Sequence, residues 1–83
     1  MSFSLETPDA LELKGVTVQI KLNGVLHDIE DDMSVMDLIL NLELDPKNVA
    51  VERNLEIIPK SLHSETRIEN GDVLEIVEFV GGG

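Results

Sequence analysis

A turn, a run of strand-forming residues and a glycine tail follow one another in residues 70–83, NGDVLEIVEFVGGG. The Asn-Gly-Asp triplet is typical of a turn, and residues 73–80 are the longest β-type run in the chain before the glycines end it. Because side chains alternate along a strand, Leu74 and Ile76 are expected to face inward, against a helix. The segment predicts a final strand that leads into a glycine tail. Its other face carries Glu75, Val77 and Phe79.

A β-hairpin is predicted near the start of the chain. Apolar and polar residues alternate along residues 16–22, which is typical of a half-buried strand. Asn23 and Gly24 then provide the two positive φ angles that a two-residue type I′ turn requires. The turn is expected to pair Leu22 with Val25, Ile20 with His27 and Val18 with Ile29, with Val16, Val18, Ile20 and Leu22 on one face.

A helix is predicted to begin after Ser34. This residue is a good N-cap, and Asp37 lies three residues later, as in a capping box. Pro46 prevents the helix from continuing far. The helix is expected to lie across the sheet, on an apolar stripe formed by Val35, Leu38, Ile39 and Leu42.

Two shorter strands are predicted between the helix and the final strand. The first is Val49–Arg53, with Val49 and Val51 facing inward. The second, at residues 55–58, is restricted to a sheet edge because Pro59 lacks a backbone donor. Leu62 is the apolar residue in the otherwise polar residues 60–65. It is therefore expected to anchor this irregular segment to the core.

The order of these elements indicates an α+β fold of the ubiquitin-like β-grasp type. Its mixed sheet has the final strand at the centre and one main helix packed across it. Residues 16–80 are expected to form this domain, with a flexible glycine tail at residues 81–83. Residues 1–15 are expected to be a mobile extension that contributes little to folding. The predicted core consists of Ile20, Val35, Leu38, Ile39, Leu42, Val51, Leu74 and Ile76.

The composition excludes several classes of function. The 83 residues carry a net charge of -11, which repels nucleic acid and favours either a basic protein partner or simply solubility. The absence of cysteine excludes disulfides, thiolate nucleophiles and cysteine-bound zinc. No apolar run approaches the roughly 20 residues of a membrane span, and no signal peptide is evident. A cytoplasmic location without membrane contact is expected.

The sequence offers no catalytic set and no metal-ligand spacing. His27 and His63 lie in separate elements, and both are expected at the surface or at an edge. The chain is therefore predicted to be neither an enzyme nor a cofactor-binding protein. An acidic turn, a helix cap or surface solvation explains the remaining candidates, Asp31, Asp32, Asp37, Arg53 and Lys60.

A family resemblance is carried by three segments of the domain. They are VAVERN at residues 49–54, IIP at residues 57–59, and NGDVLEIV with FVGGG within residues 70–83. Together they resemble the ThiS family, the sulfur carriers of thiazole synthesis in the thiamine pathway. The resemblance runs from about residue 16 to the end and does not include residues 1–15.

The resemblance implies chemistry at the C-terminal carboxylate. A ThiF-like adenylyltransferase uses ATP to adenylate Gly83, and sulfur from a donor enzyme then displaces AMP to leave a thiocarboxylate. A thiazole synthase receives that sulfur. Gly81 and Gly82 complete the tail. The exposed apolar residues beside it are candidates for partner docking, and these are Val77, Phe79 and Val80.

Two other functions stay open at this point. The sulfur carrier of molybdopterin synthesis, MoaD, is related and shares the terminal Gly-Gly, although the lead-in Phe79-Val80-Gly81 is more similar to the thiazole carrier. A plain β-grasp interaction module with an incidental glycine tail is the other alternative. Phe79 could also fold back and cap an edge of the domain instead of contacting a partner.

Overall fold

The computed structural model describes residues 16–79. The expectations for residues 1–15, for Val80 and for the tail at residues 81–83 fall outside this range. Within it, five strands form one mixed sheet, accompanied by one α-helix and two short 3₁₀ turns. The elements are β1 Thr17–Leu22, β2 Val25–Glu30, α1 Val35–Asn41, a turn at Pro46–Asn48, β3 Val49–Arg53, β4 Glu56–Ile58, a turn at Lys60–Leu62, and β5 Val73–Glu78.

The strands are arranged in the order β2-β1-β5-β3-β4. β5 is therefore central, as predicted, and it runs parallel to β1 and antiparallel to β3. The short β4 lies at the edge, where Pro59 follows it. This is the predicted mixed sheet with one helix.

The first hairpin has the predicted register. Leu22 pairs with Val25 and the ladder continues to Thr17 opposite Glu30, while Asn23 and Gly24 have φ angles of 49° and 85°. One detail of the prediction is wrong. Val16 is exposed rather than part of the inner face, because it precedes the first residue of β1.

The helix begins as predicted but ends earlier than its apolar stripe suggests. Ser34 and Asp37 form both hydrogen bonds of the capping box, each at 3.0 Å. Leu42, predicted to be in the core, is exposed because α1 ends at Asn41. The chain turns away through Glu43, whose φ is 63°, and the Leu44 amide bonds the Ile39 carbonyl as in a Schellman motif. Leu44 then packs against the core instead of Leu42.

The core contains seven of the eight predicted residues, with Leu42 excluded. It lies between α1 and the sheet face that carries Ile20, Val51 and Leu74. Val49 is buried, as its predicted inward orientation requires. Leu22 is buried on the predicted apolar face of β1, although it was not among the eight, and the core residues that the sequence patterns did not identify are Ile58 and Ile68.

His63, not Leu62, anchors the segment between β4 and β5. Leu62 remains 43% exposed, whereas His63 is only 1% exposed, so both predictions for this pair of residues are wrong. The His63 Nε2 atom lies 3.0 Å from the Ile58 carbonyl, and the His63 carbonyl accepts a hydrogen bond from Met36 in the first turn of α1. His63 thus contacts the edge strand through its imidazole and the helix through its backbone carbonyl. His27 is exposed, as predicted.

Two basic side chains predicted to solvate the surface, one half-buried and one exposed, also form hydrogen bonds within the domain. Arg53 donates to the Arg67 carbonyl at 2.9 Å and lies 3.5 Å from the Asp72 carboxylate. Lys60 donates to the Val49 carbonyl at 2.6 Å. These contacts hold the loop before β5 and the end of β4 against β3. In the acidic turn, Asp32 forms an ion pair with Arg67.

Candidate functional site

The base of the predicted tail is held in the centre of the sheet. β5 ends at Glu78, and the Phe79 amide still bonds the Asn48 carbonyl at 2.7 Å. The chain is therefore part of the hydrogen-bonded domain as far as Phe79. The tail residues Gly81, Gly82 and Gly83 and the docking candidate Val80 lie outside the described range.

On its other side, β5 extends beyond the end of its parallel neighbour β1. Asn23 compensates for this with its side chain, which accepts from the Ile76 amide at 2.9 Å and donates to the Ile76 carbonyl at 3.2 Å. A side-chain amide thus replaces a backbone partner in the ladder. The hairpin turn consequently stabilises the half of β5 that leads to the tail.

The sheet face opposite α1, called here the outer face, carries exposed apolar side chains near the tail. Val77 is 54% exposed and lies opposite Ala50 of β3, and Phe79 is equally exposed. Ile57 of the edge strand is 74% exposed and lies opposite Glu52. Phe79 does not fold back into a buried position. Val77 and Phe79 thus have the exposure that the docking prediction requires.

Two glutamates lie directly opposite each other on the outer face. Glu52 of β3 pairs in register with Glu75 of β5. Glu52 is half-buried and Glu75 is exposed. The sequence placed Glu75 on the outward face of its strand, and the inward orientation predicted for Val49 and Val51 implies that Glu52 faces outward as well. The register between the two strands was needed to show that the carboxylates are opposite each other.

The candidate catalytic and metal-binding residues remain scattered. Within residues 16–79, no group of three or more His, Cys, Asp or Glu side chains is placed to hold a metal ion. His27 is exposed on the edge strand β2. The His63 ring is buried in the core, where its Nε2 atom contacts the Ile58 carbonyl. None of the helices in this range is long and apolar enough for a membrane crossing. The features of the described domain that a partner could contact are therefore the exposed outer face and the end of β5, which leads into the tail.

Comparisons with known proteins agree with this organisation. The model of the ThiS family matches residues 20–83. The sulfur carrier protein ThiS of Bacillus subtilis is 43% identical over 67 residues, covering 77% of this chain and 98% of that protein. A thiazole synthase of Paramagnetospirillum magneticum is 44% identical over 66 residues, which are 80% of this chain, although the chain spans only 20% of that protein.

A solved structure agrees as well. The crystal structure of the thiamine biosynthesis protein ThiS from Geobacter metallireducens superposes with a TM-score of 0.68 at 26% identity, covering 80% of this chain and 100% of that one. It supports the ubiquitin-like β-grasp assignment. Because the family match includes the whole described sheet from Ile20 onward and extends through the glycines, the chain belongs to the ThiS family.

Proposed function

We propose that this protein is a sulfur carrier that supplies thiazole formation in thiamine biosynthesis. The observation that carries the proposal is the family match, which extends from β1 through the glycine tail to residue 83. It is supported by the near-complete coverage of a bacterial relative named as a sulfur carrier. The function would reside in the tail, and the folded domain would present that tail to enzymes.

The proposed chemistry takes place on the carboxylate of Gly83. A carboxylate resists nucleophilic attack because of its charge and resonance. Its attack on the α-phosphorus of ATP releases pyrophosphate and forms an acyl adenylate, in which AMP is a good leaving group. Sulfur at the oxidation level of sulfide, supplied by a donor enzyme, then attacks the acyl carbon and displaces AMP. The product is a thiocarboxylate.

The position of the tail suits this chemistry. Hydrogen bonds hold the chain as far as Phe79, and the three glycines beyond Val80 can span about 10 Å at roughly 3.3–3.6 Å per residue. Glycine has no side chain to obstruct a narrow channel. A bulky residue in place of Gly82 is expected to impair the reaction for this reason.

The carrier itself would not be an enzyme. Residues 16–79 contain no group of three or more His, Cys, Asp or Glu side chains placed to hold a metal ion, and the ATP chemistry needs Mg²⁺ and charge-stabilising groups that an activating partner would provide. A domain of this kind contributes recognition and the placement of one reactive carboxylate.

The proposed partners are a ThiF-like adenylyltransferase, a thiazole synthase and a sulfur donor enzyme. The synthase is supported by the Paramagnetospirillum magneticum protein, where the segment similar to this chain occupies a fifth of a chain named thiazole synthase. We assign the docking of these partners to the tail end of the outer face, with Val77 and Phe79 as contacts; Val80, outside the described residues, is a third candidate. Exposed apolar side chains beside a reactive tail are suited to this role.

The test is ATP–pyrophosphate exchange with a ThiF-like enzyme. We expect exchange with the full chain and none after deletion of Gly83 or addition of one alanine after it, because each change displaces the reactive carbon by about 3.5 Å. The matched control adds one alanine at the N terminus. Circular dichroism of all variants should be unchanged, since the changes lie beyond the hydrogen-bonded strand.

Undiminished exchange by the chain that lacks Gly83 would reject the proposed site. Loss of exchange in the N-terminal control would indicate that the assay responds to any alteration of the chain. The MoaD-like alternative predicts sulfur transfer to a molybdopterin synthase large subunit and none to a thiazole synthase. Both acceptors should therefore be tested with the same loaded carrier.

A further inference from the structure

The pairing of Glu52 with Glu75 is an unfavourable arrangement in a small acidic domain. Residues directly opposite in an antiparallel pair have Cβ atoms about 4.5–5.5 Å apart, and like charges at such positions destabilise a sheet. The repulsion adds to that of a chain whose net charge is already -11. A glutamine at either position would keep the shape of the side chain without this cost.

No basic side chain within residues 16–79 compensates for the pair. The salt bridges in this range join Arg53 to Asp72 and Arg67 to Asp32. Lys60 is directed to a backbone carbonyl at the other end of β3. Lys21 also lies on the outer face, where it pairs with Val73, the residue two positions before Glu75 on β5. It forms no ion pair with either glutamate.

Apolar groups surround the two carboxylates. Ile57 lies directly opposite Glu52 on its other side, and Val73 and Val77 are the neighbours of Glu75 along the same face of β5. These side chains are exposed, so a partner surface that covered them would also exclude water from a cation placed between the carboxylates. Coulomb attraction is stronger in such an environment than in water.

We infer that the outer face is an interface for a basic partner surface, with Glu52 and Glu75 as a two-carboxylate receptor for one arginine or lysine side chain. Arginine fits better, because its planar guanidinium has donors on several sides and can bridge two carboxylates. A second copy of this acidic chain is a poor occupant, since its own outer face repeats the same charges. The inference rests on the proposed function, because the occupant assigned here is the ThiF-like activating enzyme that receives the tail at the same end of the sheet.

The experiment measures two properties of Glu52→Gln, Glu75→Gln and the double variant in the full chain. The first is the denaturation midpoint, which should rise because the repulsion is removed. The second is the kinetics of adenylation by the activating enzyme. Here KM should rise about fivefold for each single variant and about tenfold or more for the double variant, with kcat unchanged, since a ground-state contact is lost.

Glu56→Gln is the matched control. It removes the same charge from the neighbouring edge strand, but Glu56 lies opposite Arg53 and on the other side of the sheet from Glu52. Its KM should equal that of the wild type and its midpoint should not rise. A merely structural role for Glu52 and Glu75 would change the midpoint without changing KM.

The outcomes separate the two proposals. If the wild-type chain is adenylated and the glutamine variants have the KM of Glu56→Gln, the receptor is wrong while the carrier function stands. If their KM changes only in transfer to the thiazole synthase, the assigned occupant is wrong. If the wild-type chain is not adenylated at all, the carrier function fails and this interface fails with it. A stable wild-type dimer that the glutamine variants disrupt would assign the face to self-association and overturn the inference.

Discussion

The two faces of the sheet differ although the same strands form both. On the inner face, Leu74 and Ile76 of β5 are buried under α1. On the outer face, the intervening Glu75 and Val77 are exposed. Alternate residues of one strand therefore differ in role: one set packs the core, and we propose that the other set serves recognition. Substitutions on the two faces should accordingly change different measured properties.

The largest expected difference is between two neighbouring residues of β5. Ile76→Ala should lower the free energy of unfolding by about 2–5 kcal/mol, because it leaves a cavity where the side chain is only 8% exposed. Val77→Ala should lower it by less than about 1 kcal/mol, since exposed positions tolerate truncation. Urea denaturation measures both. Equal losses would contradict the distinction between the faces.

An intermediate effect is expected from the buried imidazole. His63→Ala should cost about 2–4 kcal/mol, because it removes a fully packed ring and leaves the Ile58 carbonyl without its partner. His27→Ala is the matched control and should change stability by no more than about 0.5 kcal/mol, since His27 is exposed. Similar denaturation midpoints for the two variants would show that His63 does not anchor the segment between β4 and β5.

The smallest effect is expected at a hairpin tip that belongs to neither face. In the turn between β3 and β4, Leu55 has a φ of 74° and is 89% exposed, whereas the corresponding position of the first hairpin is Gly24. A left-handed conformation costs a residue with a side chain about 1–2 kcal/mol. Leu55→Gly should therefore stabilise the domain by about 0.5–1 kcal/mol, after the greater chain entropy of glycine is subtracted.

Thermal denaturation of Leu55→Gly and of the reverse change, Gly24→Leu, measures this effect. The second variant should be destabilised, since no atom would crowd a new Cβ at Gly24 but the backbone angle disfavours any side chain. Destabilisation of both variants would indicate that Leu55 has a packing role in the folded domain.

The sequence was sufficient for features that depend on neighbouring residues. Asn23 and Gly24 define the hairpin register through their backbone preferences, and Ser34 with Asp37 defines the start of α1. The alternation in β5 predicted correctly that Ile76 is buried and Val77 exposed. These features follow from local geometry and from the period of the apolar pattern.

Features that depend on distant parts of the chain were not predictable in the same way. His63 is buried instead of the more hydrophobic Leu62, because the 3₁₀ turn directs it inward and the Ile58 carbonyl provides a partner for its ring. The opposition of Glu52 and Glu75 required the register between β3 and β5, which no turn connects. The assignment of chemistry to Gly83 came from family resemblance and remains a prediction.

The most direct measurement is intact and peptide mass spectrometry of the full chain after incubation with ATP, a ThiF-like enzyme and a sulfur donor system. The account predicts that one oxygen is replaced by sulfur and that the change is found in the C-terminal peptide, at the carboxyl group of Gly83. The chain lacking Gly83 should acquire none. Sulfur attached anywhere else, or acquired equally by the shortened chain, would contradict the proposal that Gly83 is the carrier site.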